Sequence, residues 1–346
     1  TAQDNCRYKI DSQDSDGREL VKHSKLWLFQ PLESDRRFVY TSYGFYPDPD
    51  RCPEDVFNTW PGFEFTKFRK TAPDDSLETT EPLSKESLTI LNHIYEVWAD
   101  SIEERYNFIL DWFSYILQNP GKMTKVSLVL SSMPGSGKGY IMDIFFDDII
   151  GKAISEKVTS IGRLTEKFNA DLENKVLLWV DEIGVEKGRF HVSWETLKSL
   201  ITDDKVKIEK KRKDQKTFPN FVNIIMTTNR PENLKIERGG RRYVVFQCND
   251  KYAKDEEYWE KLWSPAFRSQ DNRRRIGCEL GRFLLSRPPV KAIRHIVTDE
   301  YKNLVKLTRS PLEVFLKGVR TEDISVKEHM ENGWNSEKKY PTTVLF

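Results

Sequence analysis

Ser131–Tyr140 reads SSMPGSGKGY, a run of small residues around one lysine. Backbone N–H groups at Gly135, Ser136, Gly137 and Lys138 can wrap phosphate oxygens where a turn opens a helix. The Lys138 ammonium can reach the outer phosphates. Nucleotide contacts are therefore expected at Pro134, Gly135, Ser136, Gly137, Lys138, Gly139 and Tyr140. The loop departs from the G-x-x-x-x-G-K-[ST] pattern at two places. Ser132 stands where the first glycine belongs, and Gly139 replaces the hydroxyl residue that helps hold magnesium.

Four further groups carry chemistry. Val176–Glu182 reads VLLWVDE, an apolar strand ending in two acids. Asp181 is expected to hold the metal and Glu182 to polarise the attacking water. Asn223–Asn229 reads NIIMTTN, a second apolar strand whose terminal Asn229 can stand between the γ-phosphate and that water. Between them, Lys205–Lys216 reads KVKIEKKRKDQK. Val206, Ile208 and Phe218 suggest a hairpin with Lys210, Lys211, Arg212 and Lys213 at its tip, suited to tracking a phosphodiester backbone without reading bases. Glu237–Phe246 reads ERGGRRYVVF, where Arg241 or Arg242 could neutralise charge developing on a γ-phosphate at an inter-subunit site. Arg273–Arg275 has no such context and reads as a surface patch. The five histidines are isolated and receive no role.

These groups need an α/β scaffold. Strands are expected at Val126–Leu130, Val176–Val180, Asn223–Thr227 and Tyr243–Gln247. Helices are expected at Lys138–Ile150, Gly162–Leu172 and Ser193–Thr202, which makes a sheet enclosed by helices. Upstream, Ser87–Ala99 and Ile102–Gln118 carry apolar residues at helical spacing, stopped by Asn119-Pro120-Gly121. Their Trp/Tyr/Phe stripe reads as core packing, with an oligomerisation collar as the alternative. The expected organisation is an N-terminal accessory module over 1–85 and a helical collar or linker over 86–122. The core then spans 123–250, with a helical C-terminal region over 251–346. Leu26–Leu28 and Phe38–Tyr46 have strand-like composition. Glu256–Trp263, Cys278–Leu285 and Asp299–Val305 are the C-terminal helix candidates.

Composition sets bounds on function. The chain has 346 residues, 38% hydrophobic and 32% charged, and a formal net charge of +1. Any contact with nucleic acid must therefore come from local clusters rather than global basicity. Cys6, Cys52, Cys248 and Cys278 show neither C-x-x-C pairing nor zinc-finger spacing, and read as reduced thiols of an intracellular protein. No apolar run approaches the ~20 residues of a membrane span. The chain does not begin with Met, so an upstream domain is expected.

The motif order is that of a known family. PGSGKG, a strand to WVDE, a basic hairpin, a strand to TTN and then GGRR together resemble a superfamily 3 helicase, an AAA+ P-loop NTPase type. The nearest likeness is to the helicase part of phage, viral and plasmid primase-helicases and primase-polymerases, the poxvirus type included. NTWPG at 58–62, FILDWFSYILQNPGK at 108–122 and the glycine after the loop lysine fit that group. The resemblance covers roughly residues 55–290. It implies ATP and Mg2+ as ligands, a homo-hexameric ring with ATP between subunits, and basic hairpins gripping single-stranded DNA in the channel. It also implies an arginine from the neighbouring subunit and an upstream primase or polymerase domain. By position, Lys138 is the loop lysine, Asp181 and Glu182 the acidic pair, Asn229 the polar sensor and Lys210–Lys213 the channel hairpin. Arg241 and Arg242 fall in the arginine region. Two alternatives stay open: a DNA-packaging or remodelling motor, and a non-catalytic DNA-binding ring that recruits a polymerase.

Overall fold

The computed structural model describes residues 7–10, 19–22, 42–67, 82–159, 169–181, 190–209, 215–234, 236–237, 239–262, 267 and 269–307. The chain divides into two units, Thr1–Trp60 and Pro61–Phe346.

The first unit holds two small strand pairs. β1 (Arg7–Ile10) runs antiparallel to β2 (Glu19–Lys22), and β3 (Ser42–Gly44) runs parallel to β4 (Val56–Asn58). Asn58 closes the connection between β3 and β4. Its Nδ2 donates to the Tyr46 carbonyl at 2.9 Å, and its Oδ1 accepts from Tyr46 N at 3.1 Å and Trp60 N at 2.9 Å. The strand-like composition at Phe38–Tyr46 therefore delivers β3, while Leu26–Leu28 lies outside the described residues.

The second unit begins with α1 (Lys85–His93), whose N-cap Ser84 accepts from Ser87 N at 3.2 Å. Wider π-helical turns continue it over Ile94–Trp98, and α2 (Glu103–Gln118) follows. The next strand is β5 (Ser127–Ser131), then α3 (Lys138–Asp143), which runs on as π-helical turns over Ile144–Ile150. β6 (Ser155–Val158), β7 (Leu177–Asp181) and α4 (Phe190–Thr202) follow. Next come β8 (Lys205–Ile208), β9 (Lys216–Pro219), β10 (Asn223–Thr228) and β11 (Tyr243–Gln247). The last described helices are α5 (Glu256–Leu262), α6 (Gln270–Ser286) and α7 (Asp299–Leu307).

β11-β5-β10-β7-β6 form one five-stranded sheet, parallel throughout. The chain leaves β5, crosses to the far edge at β6 and works back through β7 to β10. The C-terminal ends of β5, β10 and β7 thus stand side by side at one rim, where open α/β sheets place their sites. Both faces are covered, which explains why these strands read as nearly unbroken apolar runs. On one face, Val129, Val180, Met226 and Val245 pack with Trp194 and Leu197 of α4 and with Tyr301 and Leu304 of α7. On the other, Trp179 meets Phe146 edge-on at 5.9 Å, Phe246 meets Phe108 at 5.7 Å, and Phe113 stacks on Phe145 at 4.1 Å. The aromatic stripe of α1 and α2 is therefore core: Trp98 and Trp112 are fully buried, and Trp112 Nε1 donates to the Val126 carbonyl at 2.8 Å.

The expected strands match β5, β7, β10 and β11 to within a residue, and the hairpin exists. Val206 pairs with Phe218 across β8 and β9, and both pack against the core below α4. β6 was not expected, because SEKV offers only Val158 as an apolar signal. Of the helix expected at Gly162–Leu172, only a short 3-10 turn, Ala170–Leu172, is among the described residues.

The C-terminal region brings one correction. α6 begins eight residues before the expected Cys278, and two residues of its Arg273–Arg275 run are tied to other elements, while Arg274 is exposed as expected. Arg273 Nη2 lies 2.7 Å from Asp148, while Arg275 bridges Glu86 at 3.1 Å and Glu279 at 3.0 Å. These pairs fasten α6 to the π-helical segment and to α1. Contact there is so close that a Cβ on Gly277 would stand 2.6 Å from Asp148 Cβ. Cys52, Cys248 and Cys278 form no disulfide among the described residues, and burial pushes the Cys248 thiol up to about 12. Among the described residues no helix is long and apolar enough to cross a membrane.

Candidate functional site

A cavity of about 600 Å³ opens at the C-terminal rim of the sheet. Its floor is the loop from Pro134 to Gly137 and the first turn of α3, with Lys138, Gly139 and Tyr140. Its walls are Asp143, Asp181, Thr227, Thr228 and Asn229, together with Ala253 and Trp259 from the segment after β11.

Two glycines shape the loop. Gly135 (φ 86) and Gly137 (φ 75) both occupy the left-handed region. A Cβ on Gly137 would run into the Trp259 indole and stand 3.1 Å from His93 Cε1. Lys138 folds back into this cradle and is only 9% exposed. Its Nζ donates to Asn229 Oδ1 at 3.1 Å and to the Ser132 carbonyl at 3.4 Å, and it touches the Ser132 hydroxyl. Ser132 Oγ also bonds Ser136 Oγ, so a hydroxyl at this position has work that a glycine could not do.

Asp181 is held from two sides. Thr227 Oγ1 donates to its Oδ1 at 2.8 Å while accepting from Trp179 Nε1 at 2.8 Å. Lys157, on the edge strand β6, reaches Oδ2 at 2.9 Å and lies 3.7 Å above the Trp179 ring. Asp143 stands one helical turn beyond Gly139, and its carboxyl is pushed above the usual range by burial, with Lys157 and Arg273 opposing the shift and Asp147 and Asp181 adding to it.

Beneath the loop lies an aromatic cluster. His93, at the end of α1, is fully buried and pairs through Nδ1 with Tyr258 Oη at 2.6 Å. Tyr258 stacks on Tyr252 at 3.8 Å, and Tyr252 Oη donates to Glu96 Oε2 at 2.6 Å. Burial lowers the His93 pKa to about 4, so the ring is neutral at physiological pH. The cluster joins α1, the loop and α5.

The fold thus gathers Pro134–Tyr140, Lys138, Asp181 and Asn229 around one cavity. Glu182 and Lys210–Lys213, expected as a hairpin tip, lie outside the described residues; β8 and β9 are within them. Arg241 and Arg242 stand elsewhere, just before β11 at the opposite end of the sheet. The Arg242 carbonyl accepts from Ser127 N at 2.6 Å, and Arg241 is exposed. Five strand residues separate that end from the loop, roughly 16 Å at ~3.3 Å per residue. Sequence reasoning missed His93, Asp143, Lys157 and Trp259. Asp143 alone had a readable signal, its four-residue spacing from Gly139.

The fold and rim site define an α/β protein with a five-stranded parallel sheet and a glycine–lysine cradle. Residues 130–242 match a family described only as a family of unknown function, DUF5906. The chain is similar to a DNA primase-polymerase of Nitratiruptor phage NrS-1, 24% identical over 266 residues, covering 76% of this chain and 35% of that protein. It spans about a third of that relative's length. Two apo structures of the NrS-1 C-terminal region share the fold. One has a TM-score of 0.63 at 18% identity, covering 94% of this chain and 75% of the other. The second also has a TM-score of 0.63, at 19% identity, with coverages of 93% and 76%.

Proposed function

We propose that this chain is an ATP-dependent DNA helicase module, an AAA+ ATPase of superfamily 3 type acting on single-stranded DNA within a phage replication protein. The observation that carries this reading is the convergence of Lys138, Asp181 and Asn229 from three neighbouring strand ends onto one cavity floored by left-handed glycines. Similarity to a phage primase-polymerase supports the replication setting. The antiparallel pair β8 and β9 supports the DNA contact, because the stretch of sequence between them carries the lysine- and arginine-rich run.

In this reading the loop N–H groups and Lys138 bind the β- and γ-phosphates. Asn229, bonded to Lys138, would orient the attacking water. Glu182 follows Asp181 and would polarise that water. The carboxylate oxygens that line the cavity, from Asp143 and Asp181, are hard donors of the kind magnesium takes. Mg2+ typically takes one or two carboxylates and fills its shell with phosphates and water. Asp181 would hold it, and when bound it neutralises phosphate charge. Lys157 must then yield Oδ2 or share it.

The test is ATP hydrolysis and strand displacement on a forked DNA, for the wild type and Lys138→Ala. Lys138→Ala is expected to abolish both activities. ATPase activity without unwinding in the wild type would move the protein to the packaging or remodelling class, and wild-type turnover by Lys138→Ala would refute the site.

A further inference from the structure

Gly139 leaves the loop without the hydroxyl that usually follows the lysine, and packing does not explain the glycine. A Cβ built there meets Trp179 Cη2 at 3.9 Å, an ordinary contact, and its backbone φ is not left-handed. Four residues on, along the same helical face, Asp143 lines the same cavity. Its backbone carbonyl accepts from Arg273 Nη2 at 3.3 Å, but its carboxylate has no hydrogen-bond or ion-pair partner among the described residues. It lies within electrostatic reach of Asp181 and Asp147 on one side of the charge balance and of Lys157 and Arg273 on the other. A half-buried carboxylate beside another carboxylate, with no bonded partner, is costly unless a cation joins it.

We infer that Asp143 is a metal-holding residue that takes over the role of the missing hydroxyl, directly or through a bound water, together with Asp181. This rests on the nucleotide reading above. Removing the hydroxyl at 139 and placing a carboxylate one turn further would keep an oxygen donor on the same wall of the cavity. It would also make the site more anionic, which Lys157 offsets until the metal arrives.

Mn2+ serves as the probe, with the full chain and a non-hydrolysable ATP analogue. Two quantities are read: analogue affinity in EDTA, and Mn2+ affinity of the analogue-loaded protein by electron paramagnetic resonance. In Asp143→Asn the first should hold while the second falls about tenfold or more. Adding Gly139→Ser to that variant should recover part of the Mn2+ affinity. If Asp143→Asn binds Mn2+ as tightly as wild type, or loses analogue in EDTA as well, the assignment is overturned and Asp143 is a structural residue. If the wild type binds no analogue in either condition, the nucleotide reading fails and takes this inference with it.

Discussion

Thr227 shows how much a single residue settles at the rim. Its hydroxyl both receives the Trp179 indole N–H and orients Asp181, at 2.8 Å each way, and it is almost fully buried. Thr227→Val keeps the shape and removes both bonds. The buried indole N–H then lacks its acceptor, which should cost about 1–3 kcal/mol in urea unfolding. The same change frees the Asp181 carboxylate to rotate, so the metal concentration needed for half-maximal ATPase should rise. A wild-type unfolding midpoint would show that the indole finds another partner. Gly137 is the second decisive position. Gly137→Ala must hold φ near 75 and push its methyl into Trp259, a strain of about 1–3 kcal/mol before any ligand arrives. Nucleotide affinity should drop with it, and calorimetric titration with ATP in EDTA would register the loss; unchanged affinity would mean that the loop re-forms around a right-handed residue.

Among the elements, α1 and α5 are coupled to the loop through His93. Its ordinary pKa of 6.5 applies to the unfolded chain, while burial holds the folded ring to about 4, with the Ser136 backbone and then Glu96 working the other way. Between those values the unfolded state binds the extra proton. Stability is therefore full above pH 6.5 and declines as pH falls toward 4, by on the order of 3 kcal/mol. Unfolding midpoints of wild type and His93→Gln at pH 7.5, 6 and 5 test this; the variant should show the shallower slope. Nothing in the sequence announced this element, because His93 and Tyr258 lie far apart along the chain and only the fold unites them. The strands were legible for the opposite reason. VSLVL, VLLWV, NIIMT and YVVFQ are buried on both faces, and each needs its apolar run. β6 escaped notice because its middle residues, Glu156 and Lys157, are charged and not buried, whereas β11 at the other edge is covered and keeps its apolar run. The early start of α6 was hidden by Arg273–Arg275, since a charge run reads as solvated until its partners on other elements are known. At the site, Lys138, Asp181 and Asn229 were readable because strand ends follow the chain's order. Lys157 was not, because its link to Asp181 depends on β6 lying next to β7 in the sheet.

At the scale of the molecule, the position of the arginines limits what one copy can do. Arg241 and Arg242 precede β11, and the rim loop follows β5; the two strands run parallel in register from Tyr243↔Ser127 to Gln247↔Ser131. An arginine at the start of β11 therefore lies a full strand length from its own chain's cavity. If either arginine serves hydrolysis, it serves a neighbour's site, across a heterologous head-to-tail interface of the kind that closes into a ring. Exposure favours Arg241 for this, since the Arg242 Nε is enclosed. A mixing experiment separates the possibilities. Lys138→Ala and the Arg241→Ala/Arg242→Ala double variant should each be inactive alone. In a one-to-one mixture, an interface between an intact lysine and an intact arginine arises at about a quarter of positions by chance. ATPase activity should recover toward that fraction, in proportion to mixed assemblies measured by native mass spectrometry. Mixed assemblies without recovered activity would remove both arginines from a neighbour's site. Full activity of the double variant on its own would return Arg241 and Arg242 to the plain surface role that their place at the sheet's far end already allows.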